Sequence, residues 1–216
     1  MGWFGEACVG CGSRLALGET RGFCDGCAPA AERAGKWLPV GDTPVAAGWA
    51  YAGPLQVWIH RSKQGTFADP APLLPPLDAL LRELAAGGPV RLVAIPPQRR
   101  RLQARGLHVP DLLVDRLRRA TTRRAWLLER VDEAPVRRDH QRQAPVFRAT
   151  VAPPSAPVVL IDDVVTTGQT LQAAVAALRT AGQTVRGAIC LADARPQVLA
   201  AILGGGGRWE DGGLTG

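Results

Sequence analysis

The stretch from Val158 to Leu171 constrains this 216-residue chain more than any other part of the sequence. Four apolar residues, Val158 to Ile161, lead into two adjacent carboxylates, Asp162 and Asp163. Because the apolar run is continuous rather than alternating, it predicts a strand that is buried on both faces in a parallel sheet. Apolar residues then recur at helical spacing, at Leu171, Val175 and Leu178. The stretch therefore predicts a strand, a loop and a helix, and such units bind ligands at the carboxyl end of the strand.

The loop of this unit is suited to an anion. Amide groups at the start of a helix and the helix dipole both attract negative charge. Three threonine hydroxyls add hydrogen-bond donors, and Gly168 lets the backbone approach a ligand closely. Asp162 and Asp163 have the chemistry to hold sugar hydroxyls or a hydrated cation. The pattern therefore predicts ribose 5-phosphate, the alternative being an acidic strand end with an ordinary threonine cap.

Four of the five cysteines form two C-x-x-C pairs, and these residues are Cys8, Cys11, Cys24 and Cys27. Four thiolates suit tetrahedral zinc, and a closed site of this kind is structural rather than catalytic. Disulfides are the alternative, but the residues Met1 to Ala7 lack the apolar core of an export signal, which favours zinc. The fifth cysteine, Cys190, lies in an apolar segment and is predicted to be a buried thiol.

The net charge of +7 is concentrated in one part of the chain. From Arg91 to Arg148 there are 15 arginines and six acidic residues. This excess predicts a polyanionic partner, either a pyrophosphate group or a nucleic-acid backbone, although a solvated basic surface is the alternative. No apolar segment is long enough to predict a membrane span, so a cytoplasmic location is expected.

The remaining apolar patterns predict an α/β fold with an open, mainly parallel sheet. Strands are expected at Val45–Tyr51, Leu92–Ile95, Ala125–Leu128 and Gly187–Leu191, and helices from Pro54, over Leu77–Ala86 and from Pro110. A short helical turn and linker are expected over Ala28–Pro44, and a lid-like loop without periodicity over Val131–Pro154. The expected units are a cysteine-bearing module at 1–44, an α/β domain at 45–203 and a glycine-rich tail at 204–216.

The run from Val158 to Leu171 resembles the phosphoribosyl-pyrophosphate (PRPP) motif of type I phosphoribosyltransferases. Further features are the four cysteines, the segment Tyr51-x-Gly53-Pro54-Leu55 with Lys63, and Arg99-Arg100-x-Leu102-x-x-Arg105-Gly106. Together they resemble the ComF family, and the likeness covers the chain from Cys8 to about Leu191. It implies an open, mainly parallel sheet of the type I phosphoribosyltransferase kind with an N-terminal zinc ribbon, which binds PRPP with Mg²⁺.

The resemblance also implies site residues. The PRPP-binding residues are Asp162, Asp163, Val164, Val165, Thr166, Thr167, Gly168, Gln169 and Thr170. Of these, the two acids would hold the ribose hydroxyls, and the residues from Val165 to Thr170 would surround the 5-phosphate. The pyrophosphate-side residues are Pro97, Arg99, Arg100, Arg105 and Lys63. No catalytic residue is assigned.

The implied function is a role in natural transformation, in DNA uptake and processing, with PRPP or a ribose 5-phosphate compound as ligand. One alternative is an active phosphoribosyltransferase of nucleotide metabolism, which transfers ribose 5-phosphate to a base or another acceptor. A second is an accessory module with an inactive transferase fold, which binds single-stranded DNA and other transformation proteins. The chain departs from the ComF pattern at Leu107-His108-Val109, where an aromatic-Asn-Gln triplet is usual, and in its shortened loop over 141–147.

Overall fold

The computed structural model describes residues 7–15, 23–24, 26–27, 37–65, 69–98, 102, 107–117, 122–131, 145–150, 153, 155–197 and 199. Eight strands lie in these segments: β1 Leu38–Val40, β2 Thr43–Ala50, β3 Val90–Ala94, β4 Thr122–Arg124, β5 Leu128–Val131, β6 Val146–Ala149, β7 Val158–Val165 and β8 Val185–Asp193. The α-helices are α1 Gly53–Lys63, α2 Leu74–Ala85, α3 Val109–Leu117 and α4 Gln169–Thr180, with a 3-10 turn at Ala71–Leu73.

Six strands form the main sheet, in the order β1-β2-β8-β7-β3-β4. β1 is antiparallel to β2, and every other pair of neighbours is parallel. β5 and β6 form a separate antiparallel hairpin. The predicted fold class, an α/β fold with an open and mainly parallel sheet, is therefore confirmed.

The helices cover both faces of the sheet. One apolar cluster joins α1, α2 and α3 to one face, and a second cluster joins α4 to the other. In β7, Val159 and Ile161 belong to the first cluster, while Val158 and Leu160 belong to the second. All four are fully buried, and each such burial stabilises the fold by about 1.5–3 kcal/mol. This is why the apolar run of β7 is continuous.

The helix ends agree with the sequence signals. Pro54 and Pro110 lie in the first turns of α1 and α3, where the missing amide of proline costs no helical hydrogen bond. Gly182 follows the end of α4 with a φ of +77°, a backbone conformation that a side chain disfavours. These local predictions hold because they depend on neighbouring residues only.

Outside the Val158–Leu171 stretch, three local predictions differ from the structure. The strand expected at Ala125–Leu128 is wrong: β4 ends before this segment and β5 begins at its last residue. β4 was missed because it is a polar edge strand in which only Thr122 is buried. The linker expected over Ala28–Pro44 contains β1, and the loop expected over Val131–Pro154 contains β6. Both strands are short and exist through pairing with a neighbour, which a periodic pattern does not reveal.

The expected division of the chain into a cysteine-bearing module at 1–44, an α/β domain at 45–203 and a tail at 204–216 remains a prediction. In the described segments, no helix combines the length and the apolar character needed to cross a membrane.

Candidate functional site

Asp162 and Asp163 lie inside β7, not after it. The strand was predicted to end at Ile161, but it continues to Val165 because β8 remains paired with it to that point. On its other side, β3 pairs with β7 only as far as Ile161. The two carboxylates therefore emerge where one neighbouring strand has already stopped, and both line a cavity of about 200 Å³.

The backbone fixes the direction of both acids. Asp162 Oδ1 accepts a hydrogen bond of 2.8 Å from the amide of Asp163, and Asp163 Oδ1 accepts one of 2.8 Å from the amide of Val164. Burial raises the pKa of Asp162 well above its ordinary value, and the charge of Asp163 raises it further. A ligand that brings hydroxyl donors or a cation to this pair would relieve the cost of burying negative charge.

Lys63, at the end of α1, contacts one of these acids. Its Nζ lies 2.6 Å from Asp163 Oδ2, and both side chains are partly exposed. The sequence predicted Lys63 for the pyrophosphate side of the site. In the structure it lines the same cavity and is paired with Asp163. Lys63 and Asp163 are therefore in contact although they lie 100 positions apart in the sequence.

The start of α4 forms another part of the cavity. Gly168 is the N-cap residue, with a φ of +80°, and its lack of a side chain leaves the helix without a side-chain cap. The first turn contains no acidic residue. The Gln169 amide donates to Thr167 Oγ1 at 3.4 Å, and the positive end of the helix dipole favours an anion beside it. Thr170 lines the cavity and Thr166 is exposed, whereas the side chain of Val165 is buried.

Another wall of the cavity is formed by the segment after β3, the start of α3 and the β5–β6 hairpin. Its polar or charged members are Gln98, His108 and Arg130. Pro97, which was predicted for the pyrophosphate side, lines this wall. The other predicted residues of that side, Arg99, Arg100 and Arg105, lie outside the described residues.

Three polar or charged cavity residues, Gln98, His108 and Arg130, were not predicted as site residues. The sequence signal for His108 is that it lies in Leu107-His108-Val109, which stands where the ComF pattern has an aromatic-Asn-Gln triplet. Arg130 was one of many arginines, and nothing local distinguished it. It reaches the cavity because the hairpin folds beside α4, and its guanidinium lies 5.9 Å from the centre of the Phe147 ring.

A comparison with protein families decides the identity of this fold. The family described as phosphoribosyl transferase domain matches residues 74–201, which is more than half of the chain. The chain belongs to this family. The match includes β3, β7, α4 and β8, and with them both carboxylates. It begins after α1, so Lys63 and the four cysteines lie outside it. A search of curated proteins found no match.

Membership in the phosphoribosyl transferase family implies a site for a phosphosugar such as PRPP. The cavity has features that suit such a ligand: acceptors for sugar hydroxyls in β7 and the N-terminal turn of α4 for a phosphate group. All the PRPP-binding residues predicted from the sequence lie between the middle of β7 and the first turn of α4. Their individual roles remain predictions.

The four cysteines outside the transferase match form a compact group. Their sulfur atoms all lie within 4.8 Å of one another, and Cys11 Sγ is 3.7 Å from Cys24 Sγ. A tetrahedral zinc ion with bonds of 2.3 Å separates its sulfur ligands by about 3.8 Å. None of the four is in a disulfide. The arrangement fits a structural metal ion such as zinc.

Hydrogen bonds in this group favour thiolates at two positions. The Ser13 hydroxyl, 2.8 Å from Cys11 Sγ, lowers the pKa of Cys11 to about 6, and the Ser13 amide adds to this. Burial opposes ionisation of Cys8, but amides, first that of Cys24, lower its pKa overall. For Cys27, burial and the neighbouring thiols raise the pKa. A metal would stabilise all four as thiolates.

The cysteine group packs directly on the transferase fold. Cys8, Val9 and Phe23 belong to the same apolar cluster as α1, and the Phe23 and Trp49 rings have their centres 5.8 Å apart. A side chain at Gly10 would meet Pro54 of α1 at 2.5 Å. A metal at this site would therefore support the helix that carries Lys63.

Proposed function

We propose that this protein binds PRPP, or a related ribose 5-phosphate compound, in the cavity at the end of β7. Asp162 and Asp163 hold the ribose hydroxyls, and the loop from Thr166 to Thr170 surrounds the 5-phosphate. The observation that supports this most is the shared cavity of the two acids and the start of α4. It matches the sugar and the phosphate of one ligand. Bound Mg²⁺ would supply charge neutralisation for the diphosphate.

The binding proposal is tested by titrating the protein with PRPP and Mg²⁺ in a calorimeter. Asp163→Asn removes a charged acceptor and should weaken binding about tenfold or more. Asp42→Asn is the matched control, because Asp42 is an exposed carboxylate that is paired with Arg179 outside the cavity. No heat at millimolar PRPP, or equal affinities for the two variants, would contradict the proposal.

We further propose a ComF-like role in natural transformation, in a cytoplasmic protein. The support is the combination of a transferase fold with a four-cysteine group in the part of the chain before it. Reduced thiols suit a reducing compartment. Deletion of the gene in a transformable host should lower the transformation frequency, and the wild-type gene should restore it. If a gene encoding Asp163→Asn restores it equally, the PRPP site is not needed for that role.

Turnover is a separate question from binding. An active transferase would release pyrophosphate when PRPP and a suitable acceptor are both present, since the oxocarbenium-like ribose must be captured by the acceptor. A panel of bases and other acceptors, with pyrophosphate as the measured product, tests this alternative. Steady pyrophosphate release would make the protein an enzyme of nucleotide metabolism, whereas binding without release would leave a PRPP-binding module.

One observation favours single-stranded DNA as a further partner. Trp126, in the basic part of the chain, is 72% exposed, and the Arg124 guanidinium lies 3.6 Å from the centre of its ring. Exposed aromatic rings beside cations can stack on bases. Binding of a labelled oligonucleotide should decrease with salt and should weaken in Trp126→Ala. A salt-independent signal would contradict a DNA role.

A further inference from the structure

Two charged side chains are buried at the end of β8. Arg195 is 4% exposed and Asp193 is 1% exposed. Arg195 Nε donates to both carboxylate oxygens of Asp193, at 2.9 Å and 3.0 Å, and Nη2 donates to Oδ2 at 2.5 Å. The backbone amide of Arg195 donates to Asp193 Oδ1 at 2.9 Å as well. These hydrogen bonds hold the guanidinium and the carboxylate in one relative orientation.

The energy of this ion pair does not by itself explain its presence. Removing two charges from water is costly, and a pair of apolar side chains of similar volume often stabilises a fold equally well or better. A buried guanidinium can, however, connect segments that an apolar side chain cannot connect, because it has further donors. Here Arg195 Nη1 donates to the carbonyl of Leu38 at 3.1 Å. Arg195 therefore links the end of β8 to β1.

The end of β8 holds the residue before the proposed phosphate loop, which we define as Thr166 to Gly168. Val165 is paired with Asp193 in the sheet. The carbonyl of Val165 accepts a hydrogen bond of 2.8 Å from the amide of Ala194, which lies between the two charged residues in the sequence. The loop therefore begins at a backbone position that is fixed by the segment containing the ion pair.

β1 contacts the last residue of the same loop. A β-carbon at Gly168 would lie 2.5 Å and 2.8 Å from the two methyl carbons of Val40, so the backbone of the loop passes very close to this side chain. Val40 is two positions after Leu38, whose carbonyl accepts the hydrogen bond from Arg195. Both ends of the loop are therefore in contact with segments that Arg195 connects.

We propose that Arg195 is a positioning residue for the 5-phosphate. With Asp193 and the carbonyl of Leu38, it holds β1 and the end of β8 in the arrangement that gives the loop from Thr166 to Gly168 its phosphate-binding shape. Its guanidinium is hydrogen-bonded to protein atoms, so it acts through the backbone and not by touching the ligand. The inference rests on the proposed function, because it requires a 5-phosphate at this loop.

Arg91 provides a matched control at the other end of β7. It is 8% exposed, its Nε donates to the carbonyl of Ala156 at 2.8 Å, and its Nη2 donates to Gln183 Oε1 at 2.5 Å. In the sheet Arg91 is paired with Val158, the first residue of β7, whereas the phosphate loop follows the last residue of that strand. Arg91→Met therefore removes a buried guanidinium far from the loop.

The test is a calorimetric titration of the wild type, Arg195→Met and Arg91→Met with ribose 5-phosphate and with PRPP, each with Mg²⁺. It is done at a temperature where melting curves show each protein to be folded. Arg195→Met should weaken binding of both ligands about tenfold or more, and by similar factors, because both have the 5-phosphate. Arg91→Met should bind both within about twofold of the wild type.

A double variant separates positioning of the loop from stability of the fold. Arg195→Met with Asp193→Leu replaces the ion pair by an apolar pair and leaves no buried charge unpaired, so the melting temperature should recover towards that of the wild type. Affinity for both ligands should stay low, because the link to Leu38 is still missing. The amide resonances of residues 165–169 should also shift relative to the wild type. If Arg195→Met alone does not fold, the double variant takes its place in the titrations.

The outcomes separate the two proposals. If the wild type binds neither ligand, the proposed function and this inference both fail. If it binds them and Arg195→Met binds them equally well, only the inference fails. It also fails if the double variant regains affinity together with stability, or if Arg91→Met loses as much affinity, because the arginine would then act only on the fold. A loss confined to PRPP would overturn it too, since ribose 5-phosphate has the same 5-phosphate.

Discussion

Replacing Gly168 with alanine should destabilise the protein more than the same change at Gly182, although both glycines flank α4 and have nearly equal φ angles, +80° and +77°. A β-carbon at Gly182 has no atom within 4 Å. At Gly168 it would lie 2.5 Å and 2.8 Å from the two methyl carbons of Val40. Gly182→Ala therefore measures the cost of the backbone conformation alone, while Gly168→Ala adds a steric conflict.

The magnitudes follow from these contacts. A left-handed conformation costs a residue with a β-carbon about 1–2 kcal/mol. Overpacking a filled interior adds about 1–3 kcal/mol, and Val40 is 8% exposed and packs in the α4 cluster. We expect the free energy of unfolding to fall by about 1–2 kcal/mol in Gly182→Ala and by about 2–5 kcal/mol in Gly168→Ala.

Chemical denaturation, followed by circular dichroism, measures both values. Val40→Ala, which removes both methyl groups, should rescue Gly168→Ala in a double-mutant cycle by about 1–3 kcal/mol. Gly168 also begins α4, so Gly168→Ala should weaken PRPP binding while Gly182→Ala leaves it unchanged. Equal destabilisation by the two alanines, or no coupling to Val40, would refute the steric argument.

Three further outcomes follow from buried or clustered charges. Burial raises the pKa of Asp162 above the unfolded value of 3.8, so the unfolded chain ionises first and wild-type stability is lost as the pH rises above that value. Asp162→Asn should therefore gain stability relative to the wild type as the pH rises above about 4, and a pH-independent difference would contradict this. Cys11→Ser should lower the zinc content measured by mass spectrometry and reduce the melting temperature, whereas Cys190→Ser should leave the zinc content unchanged. The guanidinium of Arg195 lies 2.5 Å from the buried carboxylate of Asp193 at the end of β8. Arg195→Met should therefore lower the free energy of unfolding by about 3–5 kcal/mol. Arg179→Met, at an exposed ion pair, should lower the free energy of unfolding by at most about 1 kcal/mol in the same denaturation experiment. Similar losses for the two substitutions would contradict the role of burial.

Much of the candidate site was predictable because its parts are contiguous in sequence. The apolar run of β7, its two carboxylates and the start of α4 all lie between Val158 and Leu171. A continuous apolar run indicates burial on both faces, and a helix following a strand fixes the direction of the ligand site. The extension of β7 to Val165 was missed because it depends on pairing with β8.

The short strands were poorly predicted for a different reason. β1 pairs with β2, and β5 pairs with β6, in an antiparallel arrangement. β1, β5 and β6 each consist of three or four residues with few buried side chains, so the hydrophobic pattern of each is weak. Such strands form because a partner supplies the hydrogen bonds, and the partner lies elsewhere in the chain.

By itself, the sequence determined the α/β class, the apolar run of β7 with its two adjacent acids and the two cysteine pairs, because these depend on residue types at short and fixed spacings. Only the tertiary structure decided that Lys63 pairs with Asp163, that His108 and Arg130 line the same cavity, and that the cysteine group packs on α1. These residues come from segments far apart in the chain. Their proximity results from the packing of helices and a hairpin around the sheet, and no local pattern contains that information.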